Sequence, residues 1–375
     1  MSQAVSLEKF REFFLTEVEE AYPEVARTEA VPDYLHRRAA EMGCYKLTMP
    51  VEYGGYAMSV TEYMPYLEAA AEGPGIGRML VHTTNGIWRP IHHYGTAEQK
   101  AILPRVAEGE SVVAFALTEL SGGTGRDTKS TARREGDTWY LSGEKHLITF
   151  ADRADWFLVV AASDDRGAED SLTAFLFPRD TKGFGIDANQ HTMGLHGTGH
   201  AFLTYDNMAV DDRYRLGPVG KGLEVALFFL DYSRVSLSNS MVGLAQRALD
   251  EAVRFSKRRK TFGKPISSRA QIQTHIATMQ ADIEAARHLV AHAALLCEQG
   301  KDFTAQAATA KLFNLNMIGR VTDLSLRVHG GWGYTRDAAI ERIYRDARGF
   351  WFEEGTAEIQ QLVIARYVLD KTPDA

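Results

Sequence analysis

The chain has 375 residues, of which 45% are hydrophobic and 24% are charged, and its formal net charge is −7. This length predicts two or three domains or one large enzyme subunit, and the composition argues against a disordered protein. The negative balance gives no reason to expect a nucleic acid partner.

Cysteine content and targeting signals bear on the compartment. Cys44 and Cys297 are the only two cysteines and form no CxxC pair, which argues against a disulfide framework or a zinc site. The N-terminus lacks the apolar core of a signal peptide, and no stretch approaches the ~20 apolar residues that cross a bilayer. We therefore expect a cytoplasmic protein that does not enter a membrane.

The first 110 residues predict a helical domain. Leu7, Phe10, Phe14 and Val18 recur at helical spacing within LEKFREFFLTEVEEAY. In HYGTAEQKAILPRVAEGE, Thr96 is expected to cap a short helix, and a glycine closes the segment.

Residues 111–220 predict an antiparallel β domain. Short β-rich runs alternate with turn clusters, and the clearest runs are VVAFALTE, TWYLSGEKHLIT, WFLVVAA, LTAFLFP and HAFLTYDNMAV.

Residues 221–375 predict a C-terminal four-helix bundle. Three long, Ala-rich amphipathic segments lead to a last one, TAEIQQLVIARYVLD, and short loops join them. The chain is therefore expected to combine α and β domains in the order helical, β, helical.

Four stretches have a functional and a structural interpretation. A glycine-rich loop could cradle a ligand or merely turn; a basic turn could hold a phosphate or complement a helix end. A glycine pair could admit a ligand or end a helix, and a run of carboxylates could supply a base or start a helix. These stretches are AFALTELSGGTGRD, RKTFGKPI, HGGWGYTR and FEEGTAE.

Taken together, these stretches resemble the acyl-CoA dehydrogenase family of flavoproteins over about residues 40–370. The matching segments occur in the family's order: MPVEYGG, YGTAEQKAILPRVAEGE, AFALTE, GEKHLITFADRADWFLVVA, RKTFGKPI, HGGWGY, ERIYRDAR and EGTAEIQ. The resemblance implies an N-terminal helical domain, a middle β domain and a C-terminal bundle, assembled as homodimers or homotetramers, with FAD held between the β domain and the bundle.

The resemblance also implies which residues hold the flavin ring. Thr118, with Phe115 before it, would touch the flavin edge. Thr149 would bond near the reactive N5, and Leu147 takes the position where relatives often stack a tryptophan.

The rest of the dinucleotide would be held by a second set of residues, two of them supplied by the neighbouring subunit. The neighbouring subunit would supply Arg259 and Phe262, which would contact the pyrophosphate and adenine region of FAD. The backbone of the glycine pair and two side chains after it would close on the remainder, namely Gly330, Gly331, Thr356 and Glu358.

The implied reaction is α,β-dehydrogenation of an acyl thioester, with electron-transfer flavoprotein as the usual acceptor. A carboxylate removes the α-proton, and the residue directly before Gly355-Thr356 in the family motif is Glu354. Gly355 lets the backbone approach the substrate. Some relatives carry the base on an earlier helix, where this chain has Ser233, and Arg234 beside it matches an arginine near the active centre.

Departures from the family pattern concern the substrate. Arg126 stands where a serine meets the pantetheine, and Glu353 where medium-chain relatives carry a tyrosine. We expect a short or polar acyl group, carried by CoA or by an acyl carrier protein as in natural-product pathways. Glu353 either lines the pocket, where two carboxylates would couple and raise one pKa, or turns to the surface.

Two other functions remain open at this point. A flavin monooxygenase or oxidase of the same fold would react with oxygen, but such relatives generally lack the glutamate of E-G-T. A scaffold protein that has lost the cofactor is a different class, and purification without flavin would favour it.

Overall fold

A computed structural model describes residues 4–122, 127–163 and 171–371. In these residues the predicted order of a helical region, a β region and a second helical region is confirmed. Cys44 and Cys297 are free thiols. Among the residues described, no helix is both long and apolar enough to cross a bilayer.

The N-terminal region consists of short helices around one long one. Their bounds are α1 (Leu7–Leu15), α2 (Glu17–Thr28), α3 (Asp33–Glu41), α4 (Val60–Ala71), α5 (Gly75–Tyr94), α6 (Ala97–Lys100) and α7 (Leu103–Ala107). The helix predicted from Leu7 is broken at Thr16, whose φ of −121° and ψ of −80° leave the helical region. The predicted cap is present: the Thr96 side chain accepts from the Gln99 N–H, and the Gln99 side chain accepts from the Thr96 N–H, which completes a capping box.

The middle region is a single eight-stranded sheet. Its strands are β1 (Val113–Ala116), β2 (Thr131–Glu135), β3 (Thr138–Ile148), β4 (Trp156–Ala162), β5 (Leu172–Pro178), β6 (Phe184–Asn189), β7 (Ala201–Asp211) and β8 (Arg215–Leu216). The order is β6-β7-β3-β2-β4-β5-β8, and β1 also pairs with β4. Most pairs are antiparallel as predicted.

One feature of the sheet differs from the prediction. β1 runs parallel to β4 over Val113–Ala116, and β2 meets β4 in parallel at one position. A parallel pair requires a long connection, and the segment of about 40 residues between β1 and β4 supplies it. Trp139, Phe157, Phe175 and Phe177 fill the sheet's core, so the sheet gives rigid support to its strand ends.

The C-terminal region is a helical bundle that packs against the N-terminal helices. Its elements are α8 (Gly222–Arg258), the two-strand hairpin β9 (Lys260–Thr261) and β10 (Lys264–Pro265), α9 (Ala270–Glu298), α10 (Thr304–His329), α11 (Ala339–Gly349) and α12 (Ala357–Lys371). α8 crosses α4 closely at Gly243, where an added Cβ would lie 2.2 Å from the Glu68 carbonyl oxygen. Both helical regions share one hydrophobic core.

Candidate active site

The turn between α11 and α12 carries Glu353 and Glu354, and Glu358 follows in the first turn of α12. Glu354 and Gly355 have φ values of 53° and 89°, so two consecutive residues adopt the left-handed region. That region is costly for glutamate and easy for glycine, so the turn depends on support from its surroundings.

Side chains of three helices supply this support. The Glu354 carbonyl accepts from Arg234 Nε at 3.2 Å and from Gln360 Nε2 at 3.3 Å. Lys311 Nζ donates to the carbonyls of Glu353 and Gly355. Arg234 is in turn ion-paired with Asp231 on the same helix.

The Glu354 carboxylate faces α5 and α8. Its Oε1 accepts from Ser233 Oγ at 2.8 Å, and His82 Nε2 lies 2.9 Å from the same hydroxyl. Ser233 has a single hydroxyl proton, so when it donates to Glu354, His82 must donate from Nε2 to Ser233. The resulting chain runs from imidazole to hydroxyl to carboxylate, and the Glu354 side chain is only 14% exposed.

Glu353 faces inward and pairs with Arg78. The two ends of the guanidinium bind the two carboxylate oxygens at 2.6 and 3.1 Å, and the guanidinium lies over the Phe350 ring. Burial raises the pKa of Glu353, but the charge and hydrogen bonds of Arg78 outweigh it and lower the pKa below its usual value. Of the two alternatives that the sequence left, lining the pocket or turning to the surface, the side chain of Glu353 does not turn to the surface, and Arg78 lowers its pKa.

A second group of predicted residues lies on the sheet. The backbone N–H of His146 donates to the Thr118 carbonyl at 2.8 Å and so joins the segment after β1 to the end of β3. Leu147 is 40% exposed with a left-handed φ of 55°, and Thr118 beside it is exposed. The Phe115 ring packs edge-to-face on the ring of Phe229 from α8, with 5.1 Å between the ring centroids. Thr149, two residues after Leu147, is half-buried. An exposed apolar side chain with these two threonines near it fits the flat ring of a flavin.

A buried ion pair lies behind this group. Lys145 Nζ donates to Glu119 Oε1 at 2.8 Å and to the Leu117 carbonyl at 3.0 Å. Glu119 also accepts from the backbone N–H groups of Lys129 and Ser130. The pair therefore ties the segment after β1 to β3.

A third group lies at the far end of the bundle. Arg259 is exposed at the end of α8, and Phe262 in the hairpin is 96% exposed. The rings of Phe255 and His329 are 4.5 Å apart and join the ends of α8 and α10. At Gly330 and Gly331 an added Cβ would meet nothing within 4 Å, so their backbone faces open space that a ligand can approach.

The remaining predicted residues are dispersed. Thr356 and Glu358 are exposed at the start of α12, and the hydrogen bond from Thr356 lowers the pKa of Glu358. Arg126 lies outside the described residues. The second and third groups lie at opposite ends of α8, since Phe229 and Arg258 are about 44 Å apart at 1.5 Å per helical residue.

Sequence reasoning missed three residues around the turn. Arg78, His82 and Lys311 lie within helices and are buried. The available signal was a charged or polar side chain among apolar helical neighbours, as in GIGRMLVH and AATAKLFN. Such a side chain is rarely buried without a partner, but its partner cannot be identified from the helix alone.

Comparisons with known proteins match nearly the whole chain to one family. Family models described as acyl-CoA dehydrogenase N-terminal, middle and C-terminal domains match residues 2–110, 114–208 and 220–369. A 3-(aryl)acrylate reductase from Clostridium sporogenes is 33% identical over 362 residues, covering 96% of each chain.

Two solved structures are similar over nearly their full length. A chain in the structure of the electron transferring flavoprotein of Acidaminococcus fermentans superposes with a TM-score of 0.92 at 31% identity, covering 98% of this chain and 100% of that one. The butyryl-CoA dehydrogenase of Megasphaera elsdenii gives a TM-score of 0.91 at 29% identity with the same coverage.

Proposed function

This chain belongs to the acyl-CoA dehydrogenase family and is an FAD-dependent oxidoreductase of acyl-CoA, and from this premise we propose that Glu354 is the base that starts its reaction. The observation that carries the proposal is the turn at Glu354 and Gly355. Its carboxylate is mostly shielded from water and is held by Ser233 rather than by a cation. A weakly acidic α-proton requires such a base.

The other carboxylates nearby are less suited. Glu353 is engaged in a two-point ion pair with Arg78, and Glu358 is exposed on α12. Bound FAD supplies the acceptor for the β-hydrogen, which leaves with its electron pair. The protein's part is to remove the α-proton at a Glu354 carboxylate oxygen and to polarise the thioester oxygen with a fixed backbone donor.

We infer that the acyl group is short or polar. The Arg78–Glu353 pair and the Ser233–His82 pair lie beside Glu354, so the surroundings of the proposed base are polar and charged, which favours a short or polar acyl group over an extended apolar one. One similar structure is a butyryl-CoA dehydrogenase and one relative a 3-(aryl)acrylate reductase, which favours short or aryl acyl groups. An acyl carrier protein thioester remains the alternative carrier.

We also infer electron-transfer flavoprotein as acceptor and a homodimer or homotetramer as the working form. A similar chain occurs in a structure of an electron transferring flavoprotein. The second group, on the sheet, and the third group, which contains Arg259, lie at opposite ends of α8. This distance is too long for one dinucleotide to touch both groups within one chain. The proposal therefore assigns Arg259, Phe262 and the glycine pair to the FAD of a neighbouring subunit.

The test is anaerobic bleaching of the bound flavin by a panel of thioesters. Butyryl, 3-phenylpropionyl and octanoyl groups, each on CoA and on acyl carrier protein, separate chain length from carrier. Glu354→Gln should slow bleaching by the best substrate at least about a hundredfold, the scale of general base catalysis, with FAD content unchanged. Glu98→Gln, at an exposed position on α6, is the matched control. Wild-type bleaching rates in Glu354→Gln would refute the assignment of the base.

A further inference from the structure

Lys311 on α10 is a buried cation that the reaction described above does not use. Its side chain has no exposed surface, and its Nζ donates to the carbonyl oxygens of Glu353 and Gly355, which flank Glu354. These acceptors are neutral. The ammonium is therefore committed to the backbone of the turn rather than to a carboxylate in direct contact.

Burying an ammonium group in this way is unfavourable without compensation. Burial lowers the pKa of Lys311 to about 8, opposed by the negative charges of Glu354 and Glu353 and reinforced by Arg234. The surrounding stretch of α10 is otherwise largely apolar, with Ala307, Ala308, Ala310 and Leu315 buried. A methionine would fill much of the same volume without a buried charge, but it would leave the Glu353 carbonyl without its donor, so the reason for a lysine lies in the turn that it binds.

The geometry of the peptide bond connects Lys311 to the chemistry. In a trans peptide the C=O of one residue and the N–H of the next point in opposite directions. Because Lys311 binds the Glu353 carbonyl from inside the bundle, the N–H of Glu354 points away from the bundle. Within the described part of the chain, that N–H has no hydrogen-bond acceptor.

The second contact of Lys311 completes the constraint. With the Gly355 carbonyl also bound, the peptide planes before and after the left-handed pair are both fixed by one ammonium group. Arg234 and Gln360 hold the carbonyl between them. The turn thus has its three carbonyls directed to helix side chains, which leaves the Glu354 N–H on the opposite side.

We propose that Lys311 is a positioning residue that holds this turn so that the N–H of Glu354 is available to the thioester oxygen and its carboxylate to the α-proton. This inference rests on the proposed role of Glu354. Lys311 touches neither substrate nor flavin and acts only through the backbone of the turn.

The first experiment compares the FAD-loaded wild type with Lys311→Met and with Lys301→Met, a control at an exposed lysine. Amide hydrogen exchange of a peptide covering residues 351–358 should be at least about tenfold faster in Lys311→Met only, because the turn loses its charged donor. Unchanged exchange in Lys311→Met would overturn the proposal.

The second readout is flavin bleaching by the best thioester. Lys311→Met should retain FAD but bleach at least about tenfold more slowly, mainly through the rate constant of reduction rather than substrate affinity. Bleaching at the wild-type rate would overturn the positioning role. If none of the thioesters bleaches the flavin of the wild-type protein, the proposed function fails. The exchange measurement still decides whether Lys311 holds the turn.

A third variant guards against misfolding of Lys311→Met. Lys311→Ala leaves space for a small amine, and added propylammonium should slow the exchange of residues 351–358 back toward the wild-type rate. Propane-1-ol, of similar size but uncharged, is the control. Equal rescue by both compounds, or rescue by neither, would contradict the role of a cation.

Discussion

Glu353 and Glu354 are adjacent carboxylates of the same residue type, and their surroundings make them chemically different. Glu353 is bound at both oxygens by a guanidinium that is only 2% exposed, so its charge is already compensated. Glu354 instead accepts from a neutral hydroxyl. A single hydroxyl bond to Oε1 orients the Glu354 carboxylate and, among the described residues, leaves its other oxygen free to take a proton, whereas the two-point arginine pair engages both oxygens of Glu353.

Ser233 and His82 provide a prediction at this scale. His82 reaches Glu354 chiefly through Ser233, since its Nε2 lies 3.8 Å from the carboxylate but 2.9 Å from the hydroxyl. We expect Ser233→Ala and His82→Gln each to slow flavin bleaching about tenfold, the scale of one buried hydrogen bond to a charged group. The double variant should be no slower than Ser233→Ala alone, because the coupling passes through one hydroxyl.

The measurement is a double-mutant cycle on the rate constant of anaerobic flavin reduction. Thr83→Ser, a half-buried hydroxyl residue that follows His82 on α5, serves as the control. Additive effects of the two substitutions would show that His82 acts on Glu354 independently of Ser233.

At the scale of elements, local signals could be predicted and long-range pairings could not. The cap at Thr96 and its short helix depend only on neighbouring residues, and the structure agrees with the prediction made from the sequence. The parallel pairing of β1 with β4 and the Arg78–Glu353 pair join residues far apart in the chain, the latter separated by 275 positions. Helical periodicity marks Arg78 as facing the core but cannot identify its partner.

The buried Glu119–Lys145 pair gives a prediction about the link between β1 and β3. Burial raises the pKa of Glu119, but Lys145 and the N–H of Lys129 lower it below its usual value of 4.5. Glu119→Gln should reduce the free energy of unfolding by about 3–5 kcal/mol at pH 7, because it leaves a buried ammonium without its partner.

The pH dependence of this effect has a definite sign. A carboxyl group with a lowered folded-state pKa stabilises the protein above its unfolded value of 4.5, and this stabilisation is lost as pH falls through the folded pKa. The difference between wild type and Glu119→Gln in chemical denaturation should therefore narrow below pH 4.5. Glu144→Gln, at an exposed position on β3 next to Lys145, is the control. A difference that stays constant with pH would contradict an ionised Glu119.

At the scale of the whole molecule, α8 spans the distance between two sets of proposed flavin contacts. Its first turns touch Phe115 on the sheet, and its last residue precedes Arg259. Phe262 is almost fully exposed, and Trp332 and Tyr334 are also exposed at the same end of the bundle. Large exposed side chains of this kind are typical of interaction surfaces, in agreement with a site completed by a second copy.

Mixed assemblies test this arrangement. Glu354→Gln and Arg259→Ala should each be inactive alone, the first for lack of the base and the second for weakened FAD binding. If Arg259 serves the neighbouring chain, a hybrid dimer carries one doubly defective site and one intact site. Random pairing of equal amounts should then restore about a quarter of wild-type activity.

The measurement is thioester-dependent flavin reduction after the two variants are unfolded, mixed and refolded together. Each variant refolded alone is the control. No recovery in the mixture, with hybrids detected by differential tagging, would place Arg259 and Glu354 in the same site of one chain.

The division of the proposed site between regions of the chain has an evolutionary consequence. The side chains around Glu354 come from α5, α8, α10, α12 and the turn before α12, whereas the surface around Leu147 is built by the sheet. Under the proposed function, acyl preference and the surface for the flavin ring are therefore encoded in separate stretches. If so, mutations in α5 would alter which acyl groups are accepted without changing the surface around Leu147, and the range of substrates could diversify during evolution while the flavin surface is conserved.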